Sequence, residues 1–195
     1  MPRTAEQNQA IKDKRRNKLL SYALKAFAAN GYDHTAIDDI TKPSKCSHGL
    51  FYHYFESKEV VFRALIEDVI IPEGTFPIEK ALELRGEEGL RELIKFAASL
   101  ANSGLKAVLI SEIVIDLPNA AGLDDFGREF ASAHDLRKAL VTLIEQGQAE
   151  GKVTDGQPSE LASAFIDLLL ASCKRVKEKT GGFYTEKLYS GLLLK

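Results

Sequence analysis

Residues 35–58 read TAIDDITKPSKCSHGLFYHYFESK, and the order of caps, aromatics and chain breakers in this stretch decides the fold. Thr35 has the short polar side chain of a helix N-cap, and Asp38 follows three residues on, as in a capping box. Asp39 adds a second negative charge to the first turn, where the helix dipole favours it. Pro43 cannot sit comfortably in a helix interior, so this helix is short. Ser47 caps a second short helix, HGLFYHYFE, and Ser57 caps the next, KEVVFRALIEDVI. Phe51 and Phe55, four residues apart, fall on one face and belong to the core. Two short helices joined by a tight turn and packed against a longer one form a helix-turn-helix.

Upstream, helical spacing runs from about Ile11 to Asn30, with Leu20, Leu24 and Phe27 on one face and the basic run KDKRRNK at its start. Gly31 supplies a left-handed residue just past the helix end, and Tyr32 is placed to fold back on Phe27. Downstream of the stretch, Val61, Phe62, Leu65, Ile66 and Val69 stripe the helix that Ser57 opens. The segment IIPEGTFPIEK then breaks the pattern and leads into a short helix near 78–84. Further helices are expected over 87–103, 105–117, 124–150, 158–179 and from Thr185 onward. The fold class is all-α, with a head over 1–60 and a helical body over 61–195.

At 195 residues, with 45% apolar and 28% charged side chains, the chain can bury a hydrophobic core rather than stay disordered. No apolar run approaches the roughly 18 residues a membrane span needs, and the N-terminus lacks a secretory apolar core, so a cytoplasmic setting is expected. Cys46 and Cys173 are far apart and match no metal spacing, so neither a metal nor another cofactor is expected. Residues 1–60 hold ten Lys/Arg against seven Asp/Glu, whereas the remainder holds sixteen against twenty-one. A positive head on a negative body suits contact with a polyanion at one end only.

A helix-turn-helix presents the N-terminal residues of its second helix to the DNA major groove. Here these are Ser47, His48, Gly49, Leu50, Tyr52 and His53. Ser47 and His48 can hydrogen-bond base edges or phosphates, and Leu50 can meet a thymine methyl. Gly49 costs about 1 kcal/mol relative to alanine in a helix, yet lets a duplex approach the backbone. Tyr52, His53 and Tyr54 can grip phosphate oxygens. Lys58 stands at the wrong end of its helix for a cation, a conflict that a docked phosphate would remove. Tyr52 and Tyr54 fit partial packing equally well, and Cys46 reads as a small buried hydrophobe of the turn.

The run from Leu20 to Ala64, above all FAANGYDHTAIDDI followed by SHGLFYHYFESKE, resembles the N-terminal domain of TetR-type transcriptional regulators. LIEQGQAEGKVT followed by PSELASAFIDLLLAS is similar to that family's C-terminal region. The resemblance implies a three-helix DNA-binding head and an all-α body that binds a small molecule and dimerises through its last two long helices. It implies that Thr35, Ser47, Tyr52, His53 and Lys58 touch phosphates, that His48 and Leu50 read bases, and that Lys14, Arg15, Arg16 and Lys18 reach flanking backbone or minor groove. Two positions depart from the pattern: Pro43 stands where the family favours alanine, and Lys45 where glycine makes the turn.

In the body, Phe96, Leu100, Ile110, Ile113, Phe130 and Phe165 could line an effector pocket of apolar or aromatic character, although ordinary core is the commoner role of such positions. Leu161, Phe165, Leu168 and Leu169 offer a dimer seam, since two such helices from each subunit would make a four-helix bundle. The expected partners are double-stranded DNA carrying a palindromic operator, an unidentified small-molecule effector and a second copy of the chain, with no membrane. The expected function is a repressor released from its operator by that effector. Two alternatives stay open: an activator of the same fold, and a helical protein-interaction module with a degenerate helix-turn-helix. No catalytic constellation such as G-x-S-x-G, a metal cluster or a phosphate loop is present in the sequence, so an enzyme is not expected.

Overall fold

A computed structural model of the chain describes residues 4–100, 105–177 and 186–195. Among the described residues the regular elements are helices, apart from one isolated antiparallel bridge between Val153 and Leu194. The chain divides into two compact units, Met1–Gly74 with Asn119–Glu129, and Thr75–Pro118 with Phe130–Lys195.

The first unit opens with α1, Ala5–His34. It starts earlier than Ile11 because Thr4 and Gln7 form a reciprocal capping box: Thr4 Oγ1 accepts the Gln7 N–H at 3.2 Å, and Gln7 Oε1 accepts the Thr4 N–H at 3.1 Å. Gly31 takes φ 73°, interrupting the helical path where the sequence places a stop, and the Tyr32 ring stacks on Phe27 at 5.8 Å. Next come α2, Ile37–Ser44, α3, His48–Tyr54, and α4, Lys58–Leu65. The chain continues through a π-helical turn, Ile66–Ile70, into α5, Ile71–Glu73. Leu20, Leu24, Phe27, Ile40, Phe51, Phe55, Val61, Phe62 and Leu65 are buried, and the Phe27 and Phe62 rings meet edge-on at 4.9 Å. That contact ties α4 to α1, and the unit therefore reaches past residue 60.

The start of α2 differs from expectation by one residue. The N-cap is Ala36, whose N–H is taken by the Asp39 carboxylate at 2.9 Å. Thr35 is turned the other way, its hydroxyl donating to the carbonyls of Gly31 at 2.6 Å and Ala26 at 3.2 Å. Those carbonyls lie at the interrupted end of α1, where orphan acceptors need donors.

The second unit contains α6, Ile78–Leu84, α7, Gly86–Ser99, α8, Leu105–Asp116, α10, Leu136–Ala149, α11, Pro158–Lys177, and α12, Glu186–Leu193; α9 spans Asp125–Ala133. The single helix expected over 124–150 is two helices, because Asp135 caps α10 by accepting the Lys138 N–H at 3.0 Å. The helix ends expected at 103 and 179, and the start at Thr185, lie outside the described residues. Leu90, Leu93 and Ile94 of α7, Leu140, Leu143 and Ile144 of α10, and Phe165 and Leu169 of α11 share one core with Tyr189 and Leu193 of α12. Gly89 lets α6 and α7 meet at backbone distance: a Cβ there would stand 2.2 Å from the Ala81 carbonyl oxygen.

Candidate nucleic-acid interface

The turn between α2 and α3 is built despite Pro43 and Lys45. Pro43 is exposed in the last turn of α2, one residue before the helix ends, so the hydrogen bond it removes is at a terminus. Lys45 takes the left-handed conformation, φ 55° and ψ 40°. The next amide, Cys46 N–H, then reaches back to the Thr41 carbonyl at 3.0 Å, while Lys45 N–H bonds Lys42 at 3.1 Å. A lysine fills the glycine position at the usual left-handed cost of about 1 kcal/mol.

The Ser47 Oγ accepts the Leu50 N–H at 3.2 Å, fixing the start of α3 while leaving its own proton to donate elsewhere. Phe51 and Phe55, both fully buried, pin the other side. The consequence is directional: Ser47, His48, Gly49, Tyr52 and His53 are exposed together, Tyr52 to 49%. A Cβ on Gly49 would meet nothing within 4 Å, so no packing in the free protein demands glycine there.

Charge gathers beside this face. A crevice of about 250 Å³ is lined by Arg15 and Lys18 of α1, Lys45 of the turn, and Cys46, Leu50 and Tyr54. Burial pushes the Cys46 thiol up, against the opposing pull of Lys18 and Arg15, so it is not a ready thiolate. On the outer side, the His48 Nε2 contacts Asp38 Oδ1, and Asp38 Oδ2 contacts Lys42 Nζ at 2.8 Å. The Lys42 ammonium first, and then His48, hold the Asp38 carboxyl below its ordinary range.

Four sequence-derived assignments change. Thr35 is only 3% exposed with its hydroxyl donated to α1 carbonyls, so its side chain is not at the surface. Lys58 donates to the carbonyls of Tyr32 at 3.0 Å and Asp33 at 3.3 Å and lies 4.5 Å from the Tyr32 ring centroid. The cation at the start of α4 thus answers the negative end of α1, and the conflict is settled inside the protein without a phosphate. Arg16 pairs with Asp68 at 2.7 Å and lies over the Phe55 ring rather than extending outward. Leu50 is half-buried along the crevice, so only part of it is open to a base. Sequence reasoning missed Asp38 as a partner of His48. The signal was faint, since ten residues and a turn separate them and the carboxylate already had a reading as a helix-start charge.

Near the same end of α1, Asp33 accepts the Ala121 and Gly122 N–H groups at 2.7 and 2.8 Å, which lower its pKa. The Tyr32 phenol is pushed up to about 12, first by burial and then by the charges of Glu59 and Asp124.

In the second unit, Leu100, Ile110, Ile113, Phe130 and Phe165 are buried, and the half-buried Phe96 packs on Phe76 at 4.6 Å. None of these six lines the described groove of about 550 Å³ formed by Ile78, Glu79, Leu82, Ala133, Lys138 and Thr142. The dimer seam also needs correction: Phe165 and Leu169 are fully buried within their own unit and cannot meet a partner. Leu161 and Leu168 are half-buried instead, and share a face of α11 with exposed Ala164 and Ala171.

A short capped helix that is anchored by two phenylalanines, carries an open polar N-terminal face and follows a tight turn defines a helix-turn-helix DNA-binding regulator. Residues 19–65 match the family of bacterial regulatory proteins of tetR type. An HTH-type transcriptional repressor of Mycobacterium tuberculosis is 25% identical over 171 residues, covering 87% of this chain and 84% of the relative. The MbdR regulator from Azoarcus sp. CIB is 26% identical, with 91% of this chain and 94% of that one covered and a TM-score of 0.55. AibR, solved with isovaleryl coenzyme A and operator DNA, shares the fold at a TM-score of 0.58 and 20% identity, over 91% of this chain and 94% of its own.

Proposed function

We propose that this chain is a repressor that binds a palindromic operator as a homodimer and leaves it when a small molecule occupies its second unit. The observation that carries the reading is the exposed cluster Ser47, His48, Gly49, Tyr52 and His53 at the start of α3, flanked by Arg15, Lys18 and Lys45. Ser47, Tyr52 and His53 grip phosphates, His48 reaches a base edge, and Gly49 gives the duplex room. Arg15, Lys18 and Lys45 follow the flanking backbone. The Mycobacterium tuberculosis relative is a repressor by name, and AibR was captured with both an operator and an acyl-coenzyme A. Those names support a repressor with an effector.

Leu161, Ala164, Leu168 and Ala171 alternate three and four residues apart, the spacing of a helix–helix seam, and the alanines permit close approach. A two-fold pair would set two copies of α3 about one DNA turn apart, roughly 34–36 Å, matching a palindrome. An effector acts by favouring a conformer with another spacing, to the extent of its differential affinity for the two states. The working place is then the compartment that holds the chromosome.

Fluorescence anisotropy of the full chain on duplexes drawn from its own upstream region tests the reading. Neutralising one phosphate each by Arg15, Lys18 and Lys45 in two subunits gives a log–log salt slope of about −5. Sequence-selective binding with such a slope supports the proposal; equal binding to any duplex, or none, refutes it.

A further inference from the structure

We propose that Asp38 is a specificity-determining residue that fixes which edge of His48 faces DNA, and so makes His48 select amino-bearing over keto-bearing bases. The inference rests on the proposal that α3 reads the major groove. His48 is the first residue of α3 and exposed, while Asp38 lies in the first turn of α2. Their Nε2 to Oδ1 contact crosses the turn. A carboxylate oxygen facing Nε2 only accepts, so the ring proton sits on Nε2. In the neutral imidazole the other nitrogen, Nδ1, is then an acceptor.

The surroundings reinforce this orientation. Asp38 is itself held by Lys42 through its second oxygen at 2.8 Å. Asp39, the other acid of that turn, is committed to the Ala36 N–H at 2.9 Å and the Asn30 side chain at 3.4 Å. From α3, the Tyr52 ring stands edge-on to the imidazole at 6.4 Å. Asp38 is thus the acid whose contact sets the ring, and Lys42 keeps it ionised.

The chemistry of the groove gives the consequence. Adenine and cytosine present an amino donor to the major groove, whereas guanine and thymine present carbonyl acceptors. An Nδ1 acceptor pairs with the first two and opposes the lone pairs of the others. Removing the Asp38 carboxylate frees the ring to adopt either tautomer, and the discrimination goes with it.

The full chain is used to select from a randomised duplex library at alkaline pH, so that the imidazole is read in its neutral form. The wild type, Asp38→Ala, Asp38→Glu and His48→Ala are compared. Wild type is expected to enrich adenine or cytosine at one contacted position in each half-site by roughly fivefold, the size of one ordinary hydrogen bond. D38A and H48A should both flatten that same position while the rest of the motif persists, and D38E, which keeps an acceptor, should restore it. Nitrogen-15 spectra of the imidazole should show protonated Nε2 in wild type and a mixture in D38A. An unchanged position in D38A, a keto preference in wild type, or flattening at a different position from H48A overturns the inference. A wild type that enriches no motif at all counts instead against the DNA-reading role on which it rests.

Discussion

Replacing Gly49 with alanine should strengthen the fold and weaken DNA binding, and that opposition is hard to obtain by any other route. The added methyl meets nothing within 4 Å in the protein. Alanine is favoured over glycine by up to about 1 kcal/mol in a helix interior, and somewhat less in the first turn, where Gly49 sits, so a gain of about 0.5–1 kcal/mol is expected. For a chain of this size that is a rise in melting temperature of roughly 1–4 °C. In the proposed complex the same methyl would stand between the backbone of α3 and the duplex. Overfilling a packed contact costs about 1–3 kcal/mol, so affinity should fall at least fivefold. A thermal melt followed by anisotropy on a selected duplex reads both signs. A variant that is more stable and binds as well as wild type would refute the placement of α3 against DNA.

Other outcomes separate roles that sequence alone had merged. Lys58→Ala should cost about 1 kcal/mol in urea unfolding of the free protein, because two α1 carbonyls lose their cation, whereas a pure phosphate contact would leave stability unchanged. Leu168→Glu should give a folded monomer by sedimentation velocity, while Leu169→Ala, inside the core, should lower stability by about 2–5 kcal/mol. Lys45→Gly should raise stability by up to about 1 kcal/mol, as glycine accepts φ 55° without the Cβ penalty; a loss would place a stabilising contact on the lysine. Tyr32 titrates at about 12 when folded and near its ordinary 10 when unfolded. Between these values the unfolded chain releases its proton first, so stability falls as pH rises, and Tyr32→Phe should flatten that part of an alkaline unfolding profile.

The head was legible because its signals are local. Ser47 and Ser57 announce their helices by side-chain chemistry within three residues, Gly31 interrupts α1 near its end, and Phe51 with Phe55 mark the buried side of α3. What the sequence hid are the choices between two partners for one group. Thr35 looked outward from α2 but serves α1; Lys58 and Arg16 looked available to phosphates but answer Tyr32 and Asp68. A cation within reach of both a phosphate and a protein carbonyl carries no mark of which it uses. In the body, periodicity found the helices but not their facing: Phe165 and Leu161 are four apart, yet one is core and the other half-exposed. The break at Asp135 escaped because a cap residue on a helical stripe leaves the stripe intact.

The central claim, that the N-terminal face of α3 lies against duplex DNA, is tested most directly by amide hydrogen exchange of the full chain with and without a selected duplex. Exchange at residues 47–53 should slow on adding that duplex, together with the stretch around Arg15 and Lys18, and should stay unchanged on adding random competitor at the same concentration and moderate salt. Protection that appears elsewhere while 47–53 exchanges as in the free protein would contradict it.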